Sequence, residues 1–148
     1  MTRAAAGFVA TGLMVAALTA GADERSAGRL MVVVTHVESG DGKVYCALFD
    51  RPEGFPSDPD RALRGLSRRA REGRVVCPFG PVPAGTYAVA VIHDEDDDGE
   101  LDTGLVGRPL EPWGVSNNPR GPVFGPPSFE DAAFAHPARP QRIVIRLR

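Results

Sequence analysis

Residues 83–102 read PAGTYAVAVIHDEDDDGELD, a tight turn, a strand and an acidic loop in unbroken succession. Pro83, Ala84 and Gly85 make the turn. From Thr86 to Ile92, Tyr87, Val89 and Val91 alternate with Ala88 and Ala90, the period of two that a strand shows when its faces differ. The small alanines leave room for a further layer to pack closely. The run VPAGTY fits the corner motif of sandwich folds, in which a Tyr hydroxyl near a strand start bonds to the backbone upstream; an ordinary core aromatic is the other reading of Tyr87.

The strand runs directly into carboxylates at Asp94, Glu95, Asp96, Asp97, Asp98, Glu100 and Asp102. So many like charges must splay in water, take up protons or share a cation. Asp94, Asp96 and Asp98 occupy positions 1, 3 and 5 of a D-x-D-x-D-G turn, Gly99 supplies the bend at position 6, and Asp102 is position 9, the spacing by which oxygen ligands converge on calcium. Glu100 would contribute a backbone carbonyl. Position 12, where the calcium pattern needs a bidentate Glu, is Leu105, so Glu111 or a backbone carbonyl must complete the shell. The competing reading is a solvated acidic turn. His93 abuts Asp94, which suits it to orient the loop by hydrogen bonding or to join a transition-metal site with the carboxylates.

Upstream, Arg3 followed by the apolar run Gly7–Leu18 and the small residues Ala20, Gly21 and Ala22 is the pattern of a cleaved signal peptide over residues 1–22. A polar leader, residues 23–28, then precedes a single domain over residues 29–148. That length suffices for one hydrophobic core. The expected address is periplasmic or secreted, with no stable membrane insertion after cleavage, because no later segment is long and apolar enough to span a bilayer. The chain holds 17 basic and 19 acidic side chains, a balance that excludes nucleic acid as a partner.

Arg29–Val37 (RLMVVVTHV) and Lys43–Asp50 read as strands joined by the Ser39–Gly42 turn into an antiparallel hairpin. After a Pro- and Gly-rich connection, Leu63, Leu66 and Ala70 repeat at helical spacing, so Asp60–Arg71 reads as a short inserted helix capped by Asp58 or Asp60. Its other face carries arginines, either as a solvated surface or as an anion-binding one. Arg74–Phe79 is the next strand, with Pro78 placing its end at a sheet edge. Cys46 and Cys77 lie on two of these strands and can pair in an oxidising compartment; two buried free thiols are the alternative. Downstream, Thr103–Pro127 lacks periodicity, yet its Leu, Val, Trp and Phe residues argue for a packed loop. Ser128–Asp131 resembles a capping box, and Gln141–Arg148 is a closing strand with one wet face. The fold class that results is an all-β, immunoglobulin- or transthyretin-like antiparallel sandwich.

The segments GTYAVAVIHDEDDDGELDTGLVGRPLEPWGVSNN (85–118) and FGPPSFEDAAF (124–134) resemble the signature of the bacterial family known as domain of unknown function 2141. The resemblance covers about residues 29–148. It implies an exported β-sandwich similar in outline to transthyretin-like and collagen-adhesin B-type modules, and it brings no catalytic residues with it. The two cysteines and the Arg-rich insert are not features of that signature.

His36, His93 and His136 are too scattered to share ligand spacing, and Ser116 lacks the Gly at 118 that a nucleophile elbow requires. The reading that best accommodates these residues is an exported binding or accessory module with a structural calcium loop. Its unknown partner, a protein or cell-envelope ligand, would meet Trp113, Ser116, Asn117 and Asn118. Trp113 either stacks on a ligand or packs over its own loop. Two alternatives are a metal-dependent hydrolase built on His93 and neighbouring carboxylates, and a carrier of a small apolar ligand, which needs a pocket open between the sheets.

Overall fold

A computed structural model describes residues 27–100, 102, 104, 109–120 and 125–148. The signal-peptide expectation, position 12 at Leu105 and part of the Thr103–Pro127 loop lie outside these residues. The chain forms β1 (Ala27–Val37), β2 (Lys43–Phe49), β3 (Arg64–Arg69), β4 (Gly73–Pro83), β5 (Gly85–Asp94), β6 (Trp113–Val115), the short helix α1 (Phe129–Ala132), β7 (Phe134–His136) and β8 (Gln141–Arg146). One sheet runs β4-β1-β8 and the other β3-β2-β5-β6, with β7 pairing the start of β5. The fold is an all-β sandwich. The first strand begins at Ala27, so the last two residues of the expected polar leader belong to the sheet.

Alternation builds the core. Val32, Val34, Val44, Leu48, Cys77, Val89 and Ile145 point between the sheets and have no exposed surface. They fill the space that carriage of an apolar ligand would need open. Cys46 of β2 and Cys77 of β4 form a disulfide across that space, joining the two sheets. Tyr87 is a corner tyrosine: its hydroxyl donates to the Pro83 carbonyl at 3.0 Å, and burial pushes its pKa up. On the outer side of the β2-β5 sheet, Ala88 and Ala90 admit a second small core made with Phe49, Val115 and Ala132. Phe55 covers it edge-on between Phe49 (5.3 Å) and Phe129 (5.8 Å).

Three expectations are corrected. β1 and β2 are not a hairpin: β1 pairs with β4 and β8, and β2 with β3 and β5. The Gly- and Asp-rich turn therefore carries the chain from one sheet to the other. Secondly, the sandwich is not wholly antiparallel, because β8 lies parallel to β1. Thirdly, residues 60–71 are not a helix but a 3-10 turn, Pro59–Arg61, capped by Asp58, followed by β3. Of the three residues at helical spacing, Leu66 and Ala70 pack against the core but Leu63 is exposed, and Gly65 disfavours helix, whereas β2 presents a free row of backbone donors and acceptors that β3 satisfies. The capping box is present: Ser128 Oγ accepts from the Asp131 amide at 3.1 Å. β4 is an edge strand, as Pro78 foretells.

Both long sides of the sandwich are closed. At one, Arg64 of β3 reaches across to β4, donating to the carbonyls of Phe79 (3.0 Å) and Pro81 (2.6 Å). At the other, Trp113 and Arg148 exchange backbone hydrogen bonds of 3.3 and 3.0 Å, and Gly114 lies so close to β8 that a Cβ there would meet the Arg146 carbonyl oxygen at 2.6 Å. The disulfide spans 31 residues of sequence. Its removal in Cys46→Ala/Cys77→Ala is expected to lower stability by about 3 kcal/mol, chiefly by freeing the unfolded chain. Urea midpoints of wild type and variant measure this, and equal midpoints would show that the bridge contributes nothing.

Candidate functional site

The end of β5 positions the site. Asp94, opposite Lys43 in the β2-β5 register, has no solvent exposure. The backbone beyond it turns through the left-handed region at Asp97 (φ 61°) and again at Gly99 (φ 86°), where glycine is at ease. This winding brings amides back to Asp94: Oδ1 accepts from Asp98 N at 3.2 Å and Oδ2 from Gly99 N at 2.8 Å. Two further side chains repeat the device, Asp96 Oδ1 accepting from Asp98 N (3.2 Å) and Asp98 Oδ1 from Glu100 N (2.8 Å). Such local acceptors are why Asp favours turns.

Glu111 closes the loop from the far side. It is 8% exposed, and its two oxygens accept from Glu95 N (2.9 Å) and Asp102 N (3.2 Å), pinning both ends of the acidic segment. Asp94, Asp96 and Glu111 each offer an oxygen within 4.8 Å of the others, and Asp96, Asp98 and Asp102 do the same, so Asp96 is common to both groups. Asp96 feels the crowding. The Asp98 amide pulls its pKa down, but burial and the neighbouring Asp98, Asp94 and Asp102 together hold it above the usual carboxylate range. Glu100 enters neither group through its carboxylate.

Little positive charge answers these oxygens. Among the described residues neither Asp94 nor Glu111 forms a salt bridge. Lys43 pairs with Asp97 at 2.8 Å, and that hydrogen bond and charge raise its own pKa. The pair was not anticipated, although a lysine across the strand from the loop is the signal that announces it. His93 is wholly buried; its Nε2 donates to the Asp41 carbonyl at 2.8 Å, tying the β1-β2 turn to the end of β5. Its Nδ1 has no hydrogen-bond partner and lies 3.9 Å from Glu95. His93 belongs to neither carboxylate group.

The polar side chains after Glu111 bond to the chain's own backbone, Ser116 buried and Asn117 exposed. Ser116 is buried, donating from Oγ to the Ala132 carbonyl (2.6 Å) and accepting from Val89 N (2.9 Å), so it offers no surface to a partner. Asn117 donates to the Ala133 carbonyl (2.7 Å). Asn118 donates to the Val144 carbonyl (2.9 Å) and accepts from Arg146 N (2.7 Å), standing in for a strand beside β8. Trp113 is half-buried beneath the Arg148 guanidinium, 4.5 Å from the ring centroid. These residues work within the chain, and sequence spacing has no means of distinguishing an amide that bonds its own backbone from one held out for a ligand.

The family model described as an uncharacterized protein conserved in bacteria (DUF2141) matches residues 32–144, and the chain belongs to that family. The match takes in β5, the acidic loop, Glu111 and the Ser116–Asn118 run. Comparison with curated proteins and with solved structures finds no match.

Ser116→Ala removes a hydroxyl that satisfies two buried backbone groups. It is expected to cost about 2 kcal/mol, and Asn118→Ala about 1 kcal/mol at its more exposed site. Chemical denaturation of the two variants measures both values. If Ser116 were instead held out for a partner, its removal would leave the unbound protein as stable as wild type.

Proposed function

We propose that this member of the family is an exported β-sandwich binding or accessory module whose acidic loop holds a divalent cation of the calcium type in a structural role. One observation carries the reading: two buried carboxylates, Asp94 and Glu111, converge with Asp96 to within 4.8 Å, and no lysine or arginine bridges either of the buried pair among the described residues. Unpaired carboxylates at that separation are costly in a protein interior. Two oxygens facing each other across a calcium ion at about 2.4 Å are about 4.8 Å apart, so the donor set suits such an ion. Each carboxylate oxygen that accepts one amide keeps a lone pair for a metal.

Asp94, Asp96 and Glu111 would hold the ion on the buried side, with Asp98 and Asp102 on the open side. Bound there, a cation supplies the positive charge that the loop lacks, and the ends pinned by Glu111 lock around it. Glu111 takes the part that position 12 plays in a calcium loop, from a residue further along the chain. The buried His93, tied to the Asp41 carbonyl, supports the orienting role rather than that of a ligand in a hydrolytic centre. Export rests on the leader pattern and agrees with the disulfide, a bond that persists in oxidising compartments. Among the described residues no helix is long and apolar enough to cross a membrane.

Calcium at about a hundred times its dissociation constant contributes about 2.7 kcal/mol. In a domain of this size that raises Tm by roughly 10 °C. Asp96→Ala removes the carboxylate common to both groups without opening the interior, and is expected to melt near wild type in chelator while losing the response to calcium. A wild-type Tm that is the same in excess chelator and in millimolar calcium would refute the reading.

A further inference from the structure

The two sheets differ in what covers their outer faces. Phe55 and α1 lie over the β2-β5 sheet, whereas the outer face of β4-β1-β8 leaves Met31, Val76 and Val144 exposed around a buried Val33. The register lines up Val76, Val33 and Val144 as one row across all three strands, with Met31 in the next row. Met31, Val76 and Val144 are 37%, 38% and 48% exposed. The outward positions around them include Arg29, Arg74, Arg142 and Arg146, with Thr35 and Pro78 between, and no outward position of this face is Asp or Glu. None of those four guanidiniums pairs with a carboxylate among the described residues. The protein as a whole is slightly acidic, so this basic face reflects segregation of charge rather than excess.

We propose that this face docks on the surface of an anionic bilayer. A second copy meeting it face to face would bring four arginines against four. Protein interfaces concentrate their energy in aromatic anchors seated in pockets, and this face has no aromatic residue. Its apolar contribution is spread thinly over valines and a methionine. Arginine stems lie along apolar surface while the guanidinium forks reach phosphate oxygens in pairs, so a layer of lipid phosphates over an apolar interior matches both parts of the face. The acidic loop springs from the other sheet, so the segregated charge would orient the molecule as well as attract it.

Sedimentation with vesicles of phosphatidylglycerol and phosphatidylcholine tests the proposal on the full chain, whose leader is common to every variant compared. Arg142→Glu/Arg146→Glu is expected to lower the partition coefficient by roughly tenfold or more. Arg68→Glu/Arg69→Glu, an equal charge change on β3 of the other sheet, should leave it within about twofold of wild type. Binding should fall between about 0.1 M and about 1 M salt, as the screening length shrinks from about 10 Å to about 3 Å. The milder Arg142→Gln/Arg146→Gln should lie between wild type and the charge reversal, which guards against misfolding of the reversal. Three results would overturn the proposal: equal loss in the β3 variant, equal binding to pure phosphatidylcholine, or no difference between wild type and the Arg142/Arg146 variants. The last would leave the face to an acidic protein.

Discussion

A carboxylate taken out of water must find donors for both oxygens or a positive charge beside it, and in this chain that requirement falls on Asp94. The strand that carries it is paired along both edges, with β2 on one side and with β7 and then β6 on the other. Its last residue is therefore held by Lys43 of β2 on one side, and the preceding His93 by the Pro112 carbonyl on the other, before the loop begins. The loop then winds to bring the Asp98 and Gly99 amides to Asp94, and Glu111 returns from the next segment to hold the two ends. Rigid support and concentrated charge thus meet at one point.

A second theme is the use of side chains as substitutes for backbone. Ser116 fills a gap between β5 and the end of α1, Asn118 lies along β8 as a short strand would, and Arg64 satisfies carbonyls on a strand of the opposite sheet. Each is a case in which a main-chain group would otherwise face a neighbour unable to bond it. With the disulfide running through the middle, the two sheets are tied at the centre and along both flanks. The sandwich therefore comes close to a flattened barrel without continuous hydrogen bonding around it.

The features legible in the sequence were those encoded by neighbours along the chain. The alternation of Tyr87, Val89 and Val91, the corner at Pro83, the capping box at Ser128 and the approach of Asp96 to Asp94 and to Asp98 all depend on spacings of a few residues. The approach of Glu111 to the acidic segment was within reach because the calcium-type pattern lacks its last carboxylate in line. What was not legible depends on distant partners. Leu63, Leu66 and Ala70 recur at helical spacing, and nothing local reveals that β2 has an edge to fill. The turn after β1 has a hairpin's composition, yet β1 finds better neighbours in β4 and β8. A three-residue strand such as β6 is too short to show any period, and the parallel placement of β8 is settled by packing more than a hundred residues from its partner. For the same reason nothing local reveals that the polar groups of Ser116 and Asn118 bond to the chain's own backbone.

The borders of the two sheets have one further consequence. β4 is interrupted by Pro78, Pro81 and Pro83, which lack amide hydrogens; β8 is shielded by the Asn118 amide; β3 presents a glycine and a row of arginines to solvent. None of the three offers a long, flat, uncharged ribbon to a stray strand. A protein so rich in extended backbone would otherwise be a ready template for fibril growth. Here those three edges are blunted, which disfavours strand-to-strand growth.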